Sequence, residues 1–557
     1  MSTSFRMLVQ LCMDFCWREA ETFVKRLKRG FSTGGRSRQC YTSVSLILWN
    51  AAFLCFSSVA LAQGDSSSPS LIWAEIRVVD SAAGRGLPLV ELETVNGLKF
   101  VTDNAGRVAL HEPGLMGREV FFFVRSHGYE VAKDGFGIAG VRVTPQAGKL
   151  VEIMMERKIL AERLCRLTGE GLYRDSLLLG YEPPFPVSPA PGQVAGQDSV
   201  QATVYRNKVY WFWGDTSRME YPLGLFRMAG ATTPLFDPDH AKSDPAGGIP
   251  FQYFIDEKTG FVRAMMPLLE RPEGVIWVGA LCVVPDENET DKLVGHYSRR
   301  KGLEGEYEQG IAVFNEENAV FESVQQLPLT ETWRRPGGHP VVNEEGGIKW
   351  LLFGSPHPNV RVQARLKDVL NPASYEAFTC IDPLHQDKPD ISEDGKPVWR
   401  WQKELPPVDS KIEAEWVKSG KLNPEDARYY PANVFDPSER VQLHSGSVRW
   451  NEYRRKWVLL AGQIDGKSSF LGEVWYSEAD HPTGPFIKAV KVLTHDRQTF
   501  YNVCHHSFLD RDGGQTIHFE GTYTNDFSGN PEKTPRYNYN QVLYRLNLDT
   551  AGRSLAE

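Results

Sequence analysis

No two cysteines in this 557-residue chain are spaced C-x-x-C, and only 8 cysteines occur at all. That pattern gives no support to a zinc knuckle or a thioredoxin-like redox site. Cys12, Cys16, Cys40 and Cys55 lie within the first 62 residues; Cys165, Cys282, Cys380 and Cys504 are scattered over the remainder. For those four, disulfides permitted by export and four buried thiols are both open. Long apolar runs are scarce too. The one candidate is "SVSLILWNAAFLCFSSVALA", Ser43–Ala62, preceded by Lys25, Arg26, Lys28, Arg29, Arg36 and Arg38. Small residues at Ala60 and Ala62 fit a signal-peptidase site before Gln63, so residues 1–62 read as a cleaved signal peptide. Asn50 and several serines interrupt the run, which argues against a membrane anchor. Ala-Phe-Leu before Cys55 argues against a lipid-anchored cysteine. The expected location is therefore secreted or periplasmic, with no membrane contact in the mature form. Positive charge is short as well. Removing residues 1–62 takes 8 basic and 3 acidic residues from totals of 62 and 70, leaving a net charge of −13. A surface that acidic does not suit nucleic acid or anionic lipid.

What is present is β-structure. Residues 63–70 form a polar linker, and residues 71–157 carry "WAEIRVVD", "PLVELETV", "KFVTD", "RVALHE", "REVFFFVRS" and "KLVEIMMER", short β-rich runs separated by Gly, Asn and Asp. Short strands over so few residues predict a small sandwich. Residues 158–190 read as a connector. From 191 to 549 one hairpin theme recurs, each copy ending near a glycine: Gly214, Gly279, Gly354, Gly462 and Gly521. Irregular repetition of one hairpin predicts a five-bladed β-propeller with variable loops. The fold class expected is all-β, a small β-sandwich followed by that propeller. Residues 381–440 interrupt it as a polar, proline-rich insertion with one helix near Lys411–Ser419. Long insertions in compact domains often act as covers, and Trp399, Trp401 and Trp416 could either stack on sugars or pin the loop down.

The stretch "GQDSVQATVYRNKVYWFWGDTSR", Gly196–Arg218, places Asp198 and Asp215 at the two ends of a hydrophobic hairpin. A two-residue turn at Asn207-Lys208 would set Asp215 opposite Val200, with Asp198 its diagonal neighbour on the same face, Cβ atoms about 7 Å apart. Trp213 shares that face and is read as a substrate contact. Two carboxylates in a partly apolar cleft separate their pKa values, one serving as acid and the other as base or nucleophile. Asp at a strand end also commonly caps a turn, so the hairpin alone leaves both readings open.

"VTDNAGRVAL" (Val101–Leu110) with "RSHGYE" (Arg125–Glu130) resembles the carboxypeptidase-regulatory or transthyretin-like sandwich, which implies a spacer or docking module. The opening "GQD", the closing "YWFWGDT" and the five hairpins resemble five-bladed propeller glycosidases of the arabinanase, xylosidase and fructosidase group, above all the secreted endo-acting arabinan-degrading ones. "YSEADHPTGPF" (Tyr476–Phe486) is similar to a late-blade structural turn of those enzymes. The likeness covers roughly residues 160–549 and implies that Asp198 and Asp215 do chemistry at one mouth of a central channel.

Further candidates surround that axis. His339, His444, His505 and His506 each open a hairpin copy and would ring the channel as substrate-binding groups. Imidazoles there could also hold a structural cation, although no metal ligand set and no cofactor is expected. Glu308 and Glu520 are candidate third acids. Arg218 and Arg536 could pair with an acidic sugar or with the aspartates. The leading expectation is a glycoside hydrolase with a polysaccharide or oligosaccharide substrate. The alternatives are a non-catalytic carbohydrate-binding propeller, a polysaccharide lyase using His505 or His506 with Arg536, and a protein-interaction scaffold built on the sandwich. Oligomeric state is left open.

Overall fold

The computed structural model describes residues 72–221, 223–237, 244–534 and 537–556. The expected leader (1–62), the linker (63–70) and Arg536 lie outside the described residues.

The first module is a sandwich of two four-stranded sheets. One sheet runs in the order Arg107–Leu110, Ala74–Asp80, Leu150–Arg157, Tyr129–Glu130; the other runs Lys99–Val101, Glu91–Thr94, Val120–Arg125, Gly140–Val143. Inward residues such as Ile76, Val78, Leu92, Phe122 and Val124 fill the space between them. The "TDNAG" turn is built by its own side chains. Asp103 accepts the N–H groups of Ala105 (3.0 Å) and Arg107 (3.1 Å). Gly106 sits at φ +73°, where a Cβ would come 2.4 Å from the Val78 carbonyl, so only glycine fits. The same turn docks the sandwich. Asn104 donates to the Arg166 carbonyl (2.8 Å) and accepts the Arg166 N–H (2.9 Å), while Asp103 accepts the Ser176 N–H (2.7 Å).

The second module consists of five sheets following one another along the chain, antiparallel except where Ala432–Asn433 joins Lys488–Leu493 in parallel in the fourth. Their first strands are Gln201–Tyr205, Val275–Pro285, Val341–Glu345, Leu443–Asn451 and Thr499–His505. A separate apolar core fills each boundary between neighbours. Phe212 and Met265 meet Ile276 and Phe314 between blades 1 and 2, and Ile311 meets Phe353 between blades 2 and 3. Val341 packs on Val448 between blades 3 and 4, and Leu460 meets Phe519 between blades 4 and 5. Trp211 and Trp213 of blade 1 pack with Leu543 and Leu164 of blade 5. Five sheets with five shared cores form a closed ring, a five-bladed propeller. A cavity of about 380 Å³ on its axis is lined by residues of all five blades.

Two boundaries differ from the sequence reading. The fourth strand of blade 5 is Glu162–Arg166, which pairs with Asn540–Asn547 and comes from the stretch expected to be a connector. The ring is thus closed by joining both ends of the propeller segment in one sheet. Its recognition from sequence fails because "ERLCR" is charged, yet every residue is buried; Glu162 is held by Arg85 and Arg545, and Arg166 by backbone carbonyls and Asn540. In blade 2 the hairpin around Gly279 was read one strand out of phase. Gly279 lies on the first strand, paired with His296, whereas the other marker glycines sit on or just after second strands.

The insertion 381–440 folds against blades 3 and 4 with a small core of Ile381, Leu405, Val408, Trp416 and Leu422. Its helix is Ser410–Lys418, capped by Asp409, which accepts the Ile412 N–H at 2.8 Å. Trp399 stacks on Phe378, Trp401 lies beside it under Arg361, and Trp416 is buried with its indole on the Asp387 carbonyl. These tryptophans anchor the loop. All four described cysteines are buried free thiols.

Candidate active site

The hairpin of blade 1 turns one residue earlier than expected. Arg206 (φ 50°) and Asn207 (φ 58°) are both left-handed, the combination a type I′ turn needs. Tyr205 then pairs with Lys208 and Gln201 with Phe212. Along the same two chain segments Gln197 pairs with Thr216. Asp198 therefore faces Asp215 directly, and Val200 does not. The Asp198 N–H reaches the Asp215 carbonyl (3.2 Å), and the Gly214 N–H reaches the Asp198 carbonyl (2.9 Å). The Asp198 carboxylate folds over the turn, its Oδ1 accepting the Asp215 N–H at 2.8 Å. A Cβ on residue 214 would lie 2.5 Å from that oxygen, which accounts for the glycine of "GD".

The two carboxyls have different surroundings. The other oxygen of Asp198 accepts the Tyr501 hydroxyl at 2.8 Å, and the Tyr539 hydroxyl bonds it as well. Burial raises its pKa, and Tyr501, Tyr539 and the Asp215 N–H oppose that rise by stabilising the anion. Asp215 has one side-chain donor, the Trp277 indole at 2.9 Å. Burial pushes its pKa up to about 6; the indole opposes and the neighbouring Asp198 charge reinforces. Asp215 thus keeps its proton to higher pH than an ordinary aspartate. Burial and Asp198 raise both tyrosine hydroxyls, so they remain donors.

Other blades complete this mouth. Asn502 of blade 5 donates from its side chain to Ser199 (2.5 Å) and from its N–H to Ser445 of blade 4 (3.2 Å). His444, next to Ser445, is exposed. Tyr501 packs edge-on against Phe527, a rim aromatic that is 57 % exposed. Around this pair Trp277, Tyr501 and Phe527 are not marked by the sequence, whereas Tyr539 is placed by it near the entry of the closing strand. The four lie 62 to 324 residues from Asp215, and no local pattern joins them.

The remaining candidates are placed elsewhere. Trp213 is fully buried against Phe251 and Tyr253 and cannot touch a substrate. Arg218 pairs with Glu220 and lies over the Phe261 ring. Glu308 is on the third strand of blade 2, held by Arg271, Arg299, Tyr297 and Gln326, with its pKa lowered despite burial. Such a carboxylate is a structural anion. His505 and His506 are buried; His505 pairs with Asp510 and His506 with Glu520 (2.6 Å). Glu520 is itself fully buried on the second strand of blade 5. Cys504 Sγ lies 3.4 Å from His339 Nδ1 and 3.7 Å from His506 Nδ1. Among the described residues no group of three His, Cys, Asp or Glu side chains is arranged to hold a metal ion.

No family model and no curated protein matches the chain. Among solved structures it is similar to the α-L-arabinanase of Cellvibrio cellulosa, at 11% identity over 63% of this chain and 92% of that one, TM-score 0.31. It is also similar to the family 43 glycoside hydrolase YxiA of Bacillus licheniformis (9%, 63% and 71%, TM-score 0.32). A third is the α-L-arabinofuranosidase of Fusarium graminearum (10%, 65% and 96%, TM-score 0.32). These likenesses are slight, and the architecture rests on the sheet topology and ring closure described above.

Proposed function

We propose that the protein is an exported glycoside hydrolase acting on a polysaccharide or oligosaccharide, with Asp215 as proton donor and Asp198 as nucleophile or base. One observation carries the reading: two half-buried carboxyls face each other at the end of the first-blade hairpin, one bathed in hydroxyl and amide donors, the other pushed up to about pKa 6 by burial. Burial raises both carboxyls; the roles are cast on their donors, Asp198 with Tyr501, Tyr539 and the Asp215 N–H taking the nucleophile or base role and Asp215 with the Trp277 indole protonating the leaving oxygen. Directly opposed residues have Cβ atoms about 4.5–5.5 Å apart. Retaining and inverting hydrolysis need carboxyl separations of about 5–5.5 Å and about 6.5–9.5 Å, so the stereochemistry of the product reports which separation the site adopts. Phe527 at the rim offers a stacking face for a sugar ring. The slight resemblance to arabinan-degrading propellers favours a furanoside or related plant polymer.

The test is incubation of the protein with a panel of plant and microbial polysaccharides, following reducing ends and the absorbance of unsaturated products. Reducing ends without unsaturation, lost in Asp198→Asn and in Asp215→Asn, are expected. Unsaturated products would point to a lyase, and binding without cleavage to a lectin. Full activity in both variants would remove the assignment.

A further inference from the structure

The axial cavity holds a cation with no carboxylate bonded to it. Arg449, on the first strand of blade 4, donates from Nη1 to the carbonyls of His339 (2.9 Å), Pro340 (3.2 Å) and Val448 (3.1 Å). Among the described residues its Nε and Nη2 make no hydrogen bond and no carboxylate pairs with it. The nearest acidic groups are already engaged: Cys504 lies between two imidazoles, and Asp510 bonds His505. Arg449 is half-buried, which leaves the free edge of its guanidinium partly hydrated; a buried ring nitrogen without a partner is costly. His505 Nδ1, on another wall of the cavity, is such an orphan. The rest of the lining mixes apolar Ala202, Val204, Leu281, Val342 and Phe508 with polar Gln201, Thr203, His339, His506 and Ser507. Val204 is 42 % and Val342 51 % exposed, so apolar surface is left uncovered there.

We propose that this channel cavity binds a small organic carboxylate, a sugar acid among them, with Arg449 receiving the carboxylate and the apolar wall receiving the body of the molecule. Three features select that class. The free edge of a guanidinium matches a planar carboxylate with two parallel N–H donors. The cavity, about 380 Å³, falls within the size range of small-molecule pockets and exceeds what a bare inorganic ion fills. The apolar residues would be wasted on phosphate or sulfate. The site is separate from the aspartate pair and does not depend on the hydrolase reading.

Calorimetric titration of the full chain with D-glucuronate, D-glucose and inorganic phosphate tests the proposal. Glucuronate is expected to bind and glucose, which lacks the carboxylate, to bind at least tenfold more weakly. Arg449→Met should weaken glucuronate by about ten- to a hundredfold, the usual worth of a charge-assisted contact. Leu281→Trp, which fills the cavity and leaves Arg449 in place, should also abolish binding, and it decides the matter if Arg449→Met does not fold. Asp215→Asn should leave glucuronate affinity unchanged while removing hydrolysis, which separates this site from the mouth. Equal binding of glucose, binding of phosphate alone, or unchanged affinity in Leu281→Trp would overturn the proposal.

Discussion

Replacing Asp215 with asparagine should stabilise the protein at neutral pH while disabling it. The carboxyl titrates near pH 4 in an unfolded chain and at about 6 here, chiefly because it is buried. A folded pKa above the unfolded value means that the protonated form is the one the fold favours. Its stabilising contribution is complete below pH 3.8 and is lost as the pH rises through 6. The interval corresponds to at most about 3 kcal/mol, before any discount for the solvent that reaches the mouth. An amide of the same shape carries no charge and still accepts the Trp277 indole proton. Thermal unfolding scans of wild type and Asp215→Asn should therefore differ by a few degrees at pH 7.5, the variant being higher, and should converge near pH 3.5. Turnover should fall by about 10²–10⁴-fold, as expected for loss of a positioned proton donor. A variant that is less stable at pH 7.5, or a difference that persists at pH 3.5, would show that Asp215 is not held by burial, and the role assignment would fall with it.

Trp277→Phe removes the one donor that favours ionised Asp215; such a bond to a charged group is worth about 1.5–3 kcal/mol. The alkaline limb of the kcat/KM profile should move up by about one to two pH units. Tyr501→Phe removes a donor from Asp198, so the acidic limb, set by Asp198 losing its proton, should move up by about one pH unit. Glu308→Gln should leave activity within about twofold but lower stability by about 1–3 kcal/mol in a denaturant titration, because Arg271 loses its counter-charge and Arg299 is left with Glu273 alone. Asn104→Ala leaves the Arg166 amide and carbonyl without their partners in a buried setting. It should lower the unfolding temperature and speed tryptic cleavage near Arg157 and Lys158.

The strands were legible because half-buried sheets alternate, and the sandwich and the hairpins of blades 1, 3, 4 and 5 follow that alternation. Register was harder. Asn207 announces a turn, but nothing local says that Arg206, an unlikely residue for a positive φ, shares it. That single step changes the Asp198 partner from diagonal to direct. Gly279 misled the phase of blade 2 because a glycine marks close approach without saying on which strand. Glu162–Arg166 was hidden by its charges, whose partners include Arg545 and Asn540, 383 and 374 residues away. The aspartate pair was visible because both acids belong to one hairpin. Its tuning was not, since Trp277, Tyr501 and Tyr539 arrive from other blades.

Sewing the last sheet shut with residues 162–166 has a consequence for how the chain matures. During synthesis that segment emerges early, directly behind the sandwich, and must wait for residues 540–547 before it gains a neighbour. Through that interval Arg85, Asn104 and Tyr129 hold some of its peptide groups, but the edge meant for residues 540–547 stays bare, open to the wrong strand of another molecule. Contacts between such distant parts of a sequence form slowly, so the wait is long on the scale of local folding. Fragments ending before residue 540 should accordingly clump, and a short peptide spanning residues 540–547, supplied in trans, should rescue them.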